Sequence, residues 1–270
     1  VLFESGGKGA AIVIDGCDME RAVYETMVGA FLTAGQRHNS TARVIVTKYS
    51  YEEFVSYLVE KTSQISVGYG EDANTFMGPL ISENIRKRYR RYLLALKEAG
   101  HVPLLEGGSA RIRNRKGFYV TPSVYQINWE KESNFLNDEP PGPVLLVYKV
   151  DSWQDAVALH NKLVYRISAS VFVPLDHAAL PDMLARLKTG SLNLNRGSIG
   201  SSLRLPSVGL GRSSNGLPSG IDLLRFLSTP RSTLVEFRPF NPEYCVPGIN
   251  WDLPTLEEED FISEGVPTEP

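Results

Sequence analysis

Short apolar runs and amphipathic stretches alternate along the chain, and their spacing predicts its elements. Ala10–Ile14 is an unbroken apolar run, the pattern of a strand covered on both faces. After Asp18, a residue type suited to an N-cap, the residues Ala22, Val23, Met27, Ala30 and Phe31 recur at helical spacing. That spacing predicts a helix to about Ala34. Ala42–Thr47 is β-branched and predicts a strand. Tyr51–Ser63 and Ser82–Ala99 predict helices, the second ended by Gly100. Val102–Leu105, Gly117–Val120 and Val144–Tyr148 predict strands. Trp153–Leu163 and Ala178–Leu187 predict helices around a strand at Ala169–Val173, and Ser191–Asn195 predicts one more strand. Residues 196–220, rich in Gly, Ser, Arg and Pro, predict a long loop. Strands alternating with helices predict an α/β fold with a largely parallel sheet. In such sheets, sites are expected at the carboxyl ends of the strands.

Composition narrows the function classes. The 270 residues are 42% apolar, ordinary for a chain that buries a sizeable core. No apolar run approaches the ~20 residues of a membrane span, so no membrane partner is expected. Two cysteines, Cys17 and Cys245, imply no disulfide framework and fit a reducing, cytoplasmic setting. His38, His101, His160 and His177 show no ligand spacing, so no metal is expected. The net charge of −3 is uneven: residues 252–270 carry seven acidic side chains and no Lys or Arg. That tail predicts disorder from about Pro254. Arg86, Lys87, Arg88, Arg90, Arg91 and Lys97 make the 82–99 helix basic. Ile85, Tyr89, Tyr92, Leu93 and Leu96 mark its packed side, so the cations read as a solvated face and no nucleic-acid partner is expected.

Several motifs stand in a fixed order. Phe3-Glu4-Ser5-Gly6-Gly7-Lys8 comes first, and Gly35-Gln36-Arg37-His38-Asn39-Ser40-Thr41-Ala42-Arg43 follows, with Glu4 and His38 separated by 34 positions. Then come Thr75-Phe76-Met77-Gly78-Pro79-Leu80-Ile81-Ser82, Gly117-Phe118-Tyr119-Val120-Thr121-Pro122-Ser123-Val124 and Asp138-Glu139-Pro140-Pro141-Gly142-Pro143-Val144. Last are Gly190–Asn195 and Pro206-Ser207-Val208-Gly209 with Ser213-Ser214-Asn215-Gly216. This series resembles the aldehyde dehydrogenase superfamily over residues 1 to about 240. The wording of Thr33–Arg37 and Ser214–Ser219 resembles its succinylglutamate semialdehyde dehydrogenase branch. The resemblance implies a three-layer α/β catalytic domain at 1–230, an oligomerisation-type strand at 231–240, and a C-terminal extension at 241–270.

The same resemblance assigns roles. Glu4 falls at the general base and His38 at the nucleophile, where the family has cysteine. Glu139 falls at the residue that holds the nicotinamide ribose. Pro141 and Ser207 stand where the family has phenylalanine, the first beside the nicotinamide. Asn195 and Ser207 fall at substrate-facing positions. A thiolate adds to an aldehyde carbonyl and lets the adduct expel hydride; an imidazole is ordinarily a base in such sites. The expectation is therefore an aldehyde-dehydrogenase-like domain without catalysis, kept for structural, binding or regulatory work. The alternative is the catalytic half of an NAD(P)-dependent semialdehyde dehydrogenase that forms a carboxylic acid. A third possibility is hydrolysis by Glu4 with Ser40 or His38. The chain starts at the base motif, so a dinucleotide-binding half is expected upstream in a parent protein. No cofactor is expected on this chain itself; NAD or NADP is implied if the parent is active. The expected partners are another copy of the chain or that upstream domain. Ser232–Arg238 alternates apolar and polar residues, which predicts the half-buried strand of such an assembly.

Overall fold

The computed structural model describes residues 2–128, 134–200, 202, 204–215, 219–220, 223–244 and 246–248. Seven strands form one sheet. They are β1 (Gly9–Val13), β2 (Thr41–Thr47), β3 (Val102–Leu105), β4 (Ser123–Gln126), β5 (Val144–Val150), β6 (Ser168–Phe172) and β7 (Ser191–Leu194). Their order across the sheet is β3-β4-β5-β2-β1-β6-β7. The β3–β4 pair is antiparallel and every other pair is parallel. The central strands β1 and β2 are buried along their whole length, as helices on both faces of a parallel sheet require.

The helices are α1 (Met19–Phe31), α2 (Lys48–Ser63), α3 (Glu83–Glu98), α4 (Trp153–Asn161) and α5 (Leu180–Arg186). Asp18 caps α1 by accepting from the Arg21 amide at 3.0 Å. Ser82 and Ser152 cap α3 and α4 in the same way. Helix α2 starts three residues before the predicted Tyr51. Its cap comes from Asp15, just past β1, whose carboxylate accepts from the Thr47 hydroxyl at 2.6 Å and the Ser50 amide at 3.0 Å.

Two predicted strands fail. Residues 117–120 make only isolated bridges, Leu80 with Phe118 and Ser109 with Val120. The strand lies beyond Pro122, where Ser123–Gln126 meets Val144–Val147 of β5. Residues 229–248 belong to a unit separate from 1–228. Within it, Ser232–Arg238 forms no strand, and Leu234 and Phe237 are 91% and 90% exposed. The expected half-burial is therefore not met within one chain. The tail beyond residue 248 and Cys245 lie outside the described residues.

His160, fully buried near the end of α4, gives the core a pH dependence. Burial pushes its imidazole down to about 4, opposed by the Lys188 backbone. Unfolded, the same group titrates near ~6.5. The unfolded chain therefore binds more protons between these values, and stability rises with pH across that window. The expected loss on acidification from neutrality to pH ~4 is up to about 3 kcal/mol from this residue. Urea unfolding at several pH values checks it: His160→Gln should lose less over the same interval, and identical pH slopes would refute the assignment.

Candidate functional site

Three loops enter the sheet at its amino edge. Residues 3–8 precede β1, residues 33–40 precede β2, and residues 135–142 precede β5. This differs from the carboxyl-edge location expected for a parallel sheet. At the carboxyl edge Asp15 is used up as the cap of α2, so that polar group serves the fold.

The first loop is held by the 212–215 turn. The Ser5 amide donates to the Ser213 carbonyl at 2.8 Å, and the Ser5 hydroxyl donates to the Arg212 carbonyl at 2.8 Å. Glu4 is exposed and forms an isolated bridge with Ser214. The buried Ser213 hydroxyl accepts from the Arg166 amide at 3.0 Å. Gly7 leaves room for that hydroxyl, since a Cβ there would lie 2.5 Å from it.

The second loop turns through three successive left-handed residues, Thr33, Ala34 and Gly35, with φ of 59°, 54° and 63°. Two of them carry a Cβ, at a cost of about 1–2 kcal/mol each. Gln36 offsets this by clamping the loop. Its Nε2 donates to the Thr33 and Pro79 carbonyls at 3.1 and 3.3 Å, and its Oε1 accepts from the Ile81 amide at 2.9 Å. The Met77–Ile81 motif is thus the wall to which the 33–40 loop is tied. At Gly35 a Cβ would lie 2.6 Å from the Gly142 carbonyl oxygen, so loops two and three touch through glycine backbones.

A turn over Arg37–Ser40 then leads into β2. The Ser40 amide donates to the Arg37 carbonyl at 3.1 Å, and the Ser40 hydroxyl accepts from the Arg37 amide at 3.2 Å. Ser40 is fully buried, so its oxygen is not a free nucleophile. His38 sits at the exposed tip of the turn. Behind it, Asn39 donates to the Ser198 carbonyl at 3.2 Å, and the Thr41 and Ser198 hydroxyls meet at 2.9 Å. The Gly9 amide donates to the Ser40 carbonyl at 3.0 Å and joins the first two loops. Among the described residues no hydrogen bond or ion pair joins Glu4 to His38.

Two buried cations organise the third loop. The Lys8 ammonium donates to the Pro140 and Gly142 carbonyls, and burial pulls its pKa down to about 8, with the Glu139 charge opposing. Arg43 projects from β2 and donates to the Lys8 carbonyl at 3.2 Å and to the Phe135 and Asp138 carbonyls. Glu139 faces back onto the first loop, where its Oε1 accepts from the Gly7 and Lys8 amides at 3.1 and 3.2 Å. Pro141 is half-buried beside it.

The two residues expected to face substrate, Asn195 and Ser207, are not brought together with the three loops. Asn195 follows β7 at the opposite edge, with φ of 52°. Its amide is spent on Val173, accepting from the backbone N–H at 2.9 Å and donating to the carbonyl at 3.0 Å. It therefore mimics a strand partner. Of Ser207 only the backbone is described, in a two-residue bridge of Pro206–Ser207 with Ser219–Gly220. Lys8, Gln36 and Arg43 were quoted in the motifs without a role. The signal was present in Arg43, a lone cation inside the otherwise uncharged strand Thr41–Thr47.

Comparison with known proteins agrees with this arrangement. Residues 1–233 match the aldehyde dehydrogenase family. The chain is 33% identical over 216 residues to alpha-ketoglutaric semialdehyde dehydrogenase of Bacillus subtilis, covering 79% of this chain and 43% of that protein. It is 30% identical over 245 residues to betaine aldehyde dehydrogenase of Brucella melitensis, covering 90% and 50%. Lactaldehyde dehydrogenase from Escherichia coli superposes with a TM-score of 0.76 at 29% identity, over 84% of this chain and 46% of that one. Betaine aldehyde dehydrogenase from Staphylococcus aureus, solved with NAD+, superposes with a TM-score of 0.77 at 28% identity, over 83% and 44%. The chain spans about half the length of the curated relatives it matches. With Glu4, His38 and Glu139 standing on three adjoining loops of a mostly parallel sheet and residues 1–233 matching the family, this chain belongs to the aldehyde dehydrogenase family.

Proposed function

We propose that this chain is an aldehyde-dehydrogenase-like domain that does not oxidise aldehydes and instead serves binding or assembly. The observation that carries the reading is the turn at 37–40, which offers an exposed imidazole at His38 where a thiolate is needed. Ser40 beside it is buried with its oxygen engaged. Among the described residues Cys17 is the sole thiol. It lies past the carboxyl end of β1, across the sheet from His38, and burial followed by the Asp18 charge pushes its pKa up to about 11.

The residues at hand also do not fit a nicotinamide. The Glu139 carboxylate is drawn onto the Gly7 and Lys8 amides, and Pro141 has no aromatic face to lay against the ring. Exposed Leu234, Val235 and Phe237 favour association with another chain, since a cluster of exposed apolar side chains marks an interaction surface. A second reading, the catalytic half of an NAD(P)-dependent enzyme for a dicarboxylic semialdehyde, draws on the Gln36-clamped loop and on the wording of Thr33–Arg37. Absorbance of reduced nicotinamide, followed with NAD and NADP over a panel of semialdehydes, separates the two. No turnover is expected, and a rate on the order of 1 per second would overturn the first reading.

A further inference from the structure

We propose that α3 and the 111–116 turn together form a docking surface for the phosphodiester backbone of a single-stranded nucleic acid. On α3 alone the cations read as the solvated side of an amphipathic helix. Folding adds a second cationic segment to it. Residues 108–121 double back, with the Ala110 amide donating to the Tyr119 carbonyl and the Thr121 amide to the Gly108 carbonyl, both at 2.9 Å. The tip of this turn reads Arg111-Ile112-Arg113-Asn114-Arg115-Lys116, with Asn114 left-handed at φ 58°. The Leu80 amide donates to the Phe118 carbonyl at 3.1 Å, which brings the turn to the start of α3. The Arg86 guanidinium lies 5.6 Å from the Phe118 ring centre and completes the junction.

Cations are concentrated in this part of the chain. Ten of the 28 Lys and Arg fall within residues 82–118, against three of the 31 carboxylates. Two of those three are already paired, Glu83 with Arg86 at 2.6 Å and Glu106 with Lys97. Among the described residues no carboxylate pairs with Lys87, Arg88, Arg90, Arg91, Arg111, Arg113, Arg115 or Lys116. The chain as a whole is acidic, so this patch is local and not a general basicity. Glu71 and Asp72 of the 66–75 loop line one pocket with Arg113 and Arg115, so on that side the patch ends against two carboxylates.

Nucleic acid is favoured over an anionic membrane by the kind of cation. Seven of the ten are arginine, whose planar fork matches phosphate and stacks on flat rings. Stacking of that kind is present, with the Arg115 guanidinium 4.0 Å from the Tyr69 ring centre. A membrane surface would want a row of apolar side chains as well. Among the described residues the exposed large apolar side chains of this stretch are Ile81, Leu94 and Val102, which are far apart in sequence and form no row.

Fluorescence anisotropy of a labelled RNA strand of about 16 nucleotides tests the proposal on the full chain. The expected result is binding in low salt with a dissociation constant on the order of 10 μM, weakening steeply as salt rises. Two surface double variants, Lys87→Glu with Arg91→Glu and Arg111→Glu with Arg113→Glu, should each weaken binding about tenfold or more. Each should retain the unfolding curve of the parent chain. Three outcomes overturn the proposal. They are no anisotropy change in low salt, binding that neither double variant weakens, and tighter binding to vesicles of equal parts phosphatidylcholine and phosphatidylserine than to the RNA.

Discussion

The His38→Cys chain should be alkylated at position 38 roughly 20-fold faster than at Cys17 near pH 8 from ionisation and thiolate nucleophilicity together. Cys17 is held at a pKa of about 11 by burial and by the neighbouring Asp18 charge. Near pH 8 its thiolate fraction is about one in a thousand, whereas an exposed thiol of ordinary pKa is about one quarter ionised. The weaker nucleophilicity of a less basic thiolate returns a factor of about 13. Partial burial of Cys17 widens the gap again, because a reagent must also reach the sulfur. Peptide mass mapping after a timed iodoacetamide pulse reads positions 17, 38 and 245 separately. Equal labelling at 17 and 38 would mean that the turn at 37–40 is closed in solution. Nicotinamide reduction by this same variant would revive the second functional reading, because the restored thiol would then be the only missing part.

Gly9→Ala should fail to fold, with a loss of several kcal/mol against a total stability on the order of 10 kcal/mol. A Cβ at Gly9 would stand 1.9 Å from the Ser168 carbonyl oxygen, which is backbone and cannot rotate away. The collision lies between β1 and β6, in the middle of the sheet. Any relief must part those two strands. Gly108→Ala is the control, because a Cβ there meets nothing within 4 Å. Far-UV circular dichroism and soluble yield decide it: a Gly9→Ala chain with a parental unfolding midpoint would show that the strands are spaced more loosely than described.

Much of the sheet was legible because its central strands are short apolar or β-branched runs. Ala10–Ile14 and Ala42–Thr47 needed no partner to be recognised. The failures came where partners decide. Gly117–Val120 and Ser123–Gln126 are equally strand-like, and only the second has the free edge of β5 beside it. Helix α2 began early because Asp15, 35 positions from Ser50, supplies its cap, and no local window contains that residue. Ser232–Arg238 has the right alternation, yet among the described residues of its unit none pairs with it, and alternation alone buries nothing.

The candidate site divides in the same way. The positions of Glu4 and His38 could be read from motif order, and both stand on loops entering the sheet. The organising side chains could not. Lys8, Gln36 and Arg43 act through backbone carbonyls and amides of distant segments, and such acceptors leave no mark in the sequence. Glu139 was placed on a ribose by resemblance, while here its carboxylate rests on amides of the first loop.

The left-handed run at 33–35, the Gln36 clamp and the buried Ser40 fix the shape of the turn from both sides, and none of these contacts uses the side chain of residue 38. That position is therefore an interchangeable seat. Selection for a stable domain acts on the neighbours, and selection for chemistry acts on the occupant. A thiol and an imidazole can stand there in turn without disturbing the loop. A change of occupant at that seat need leave no trace in thermal stability.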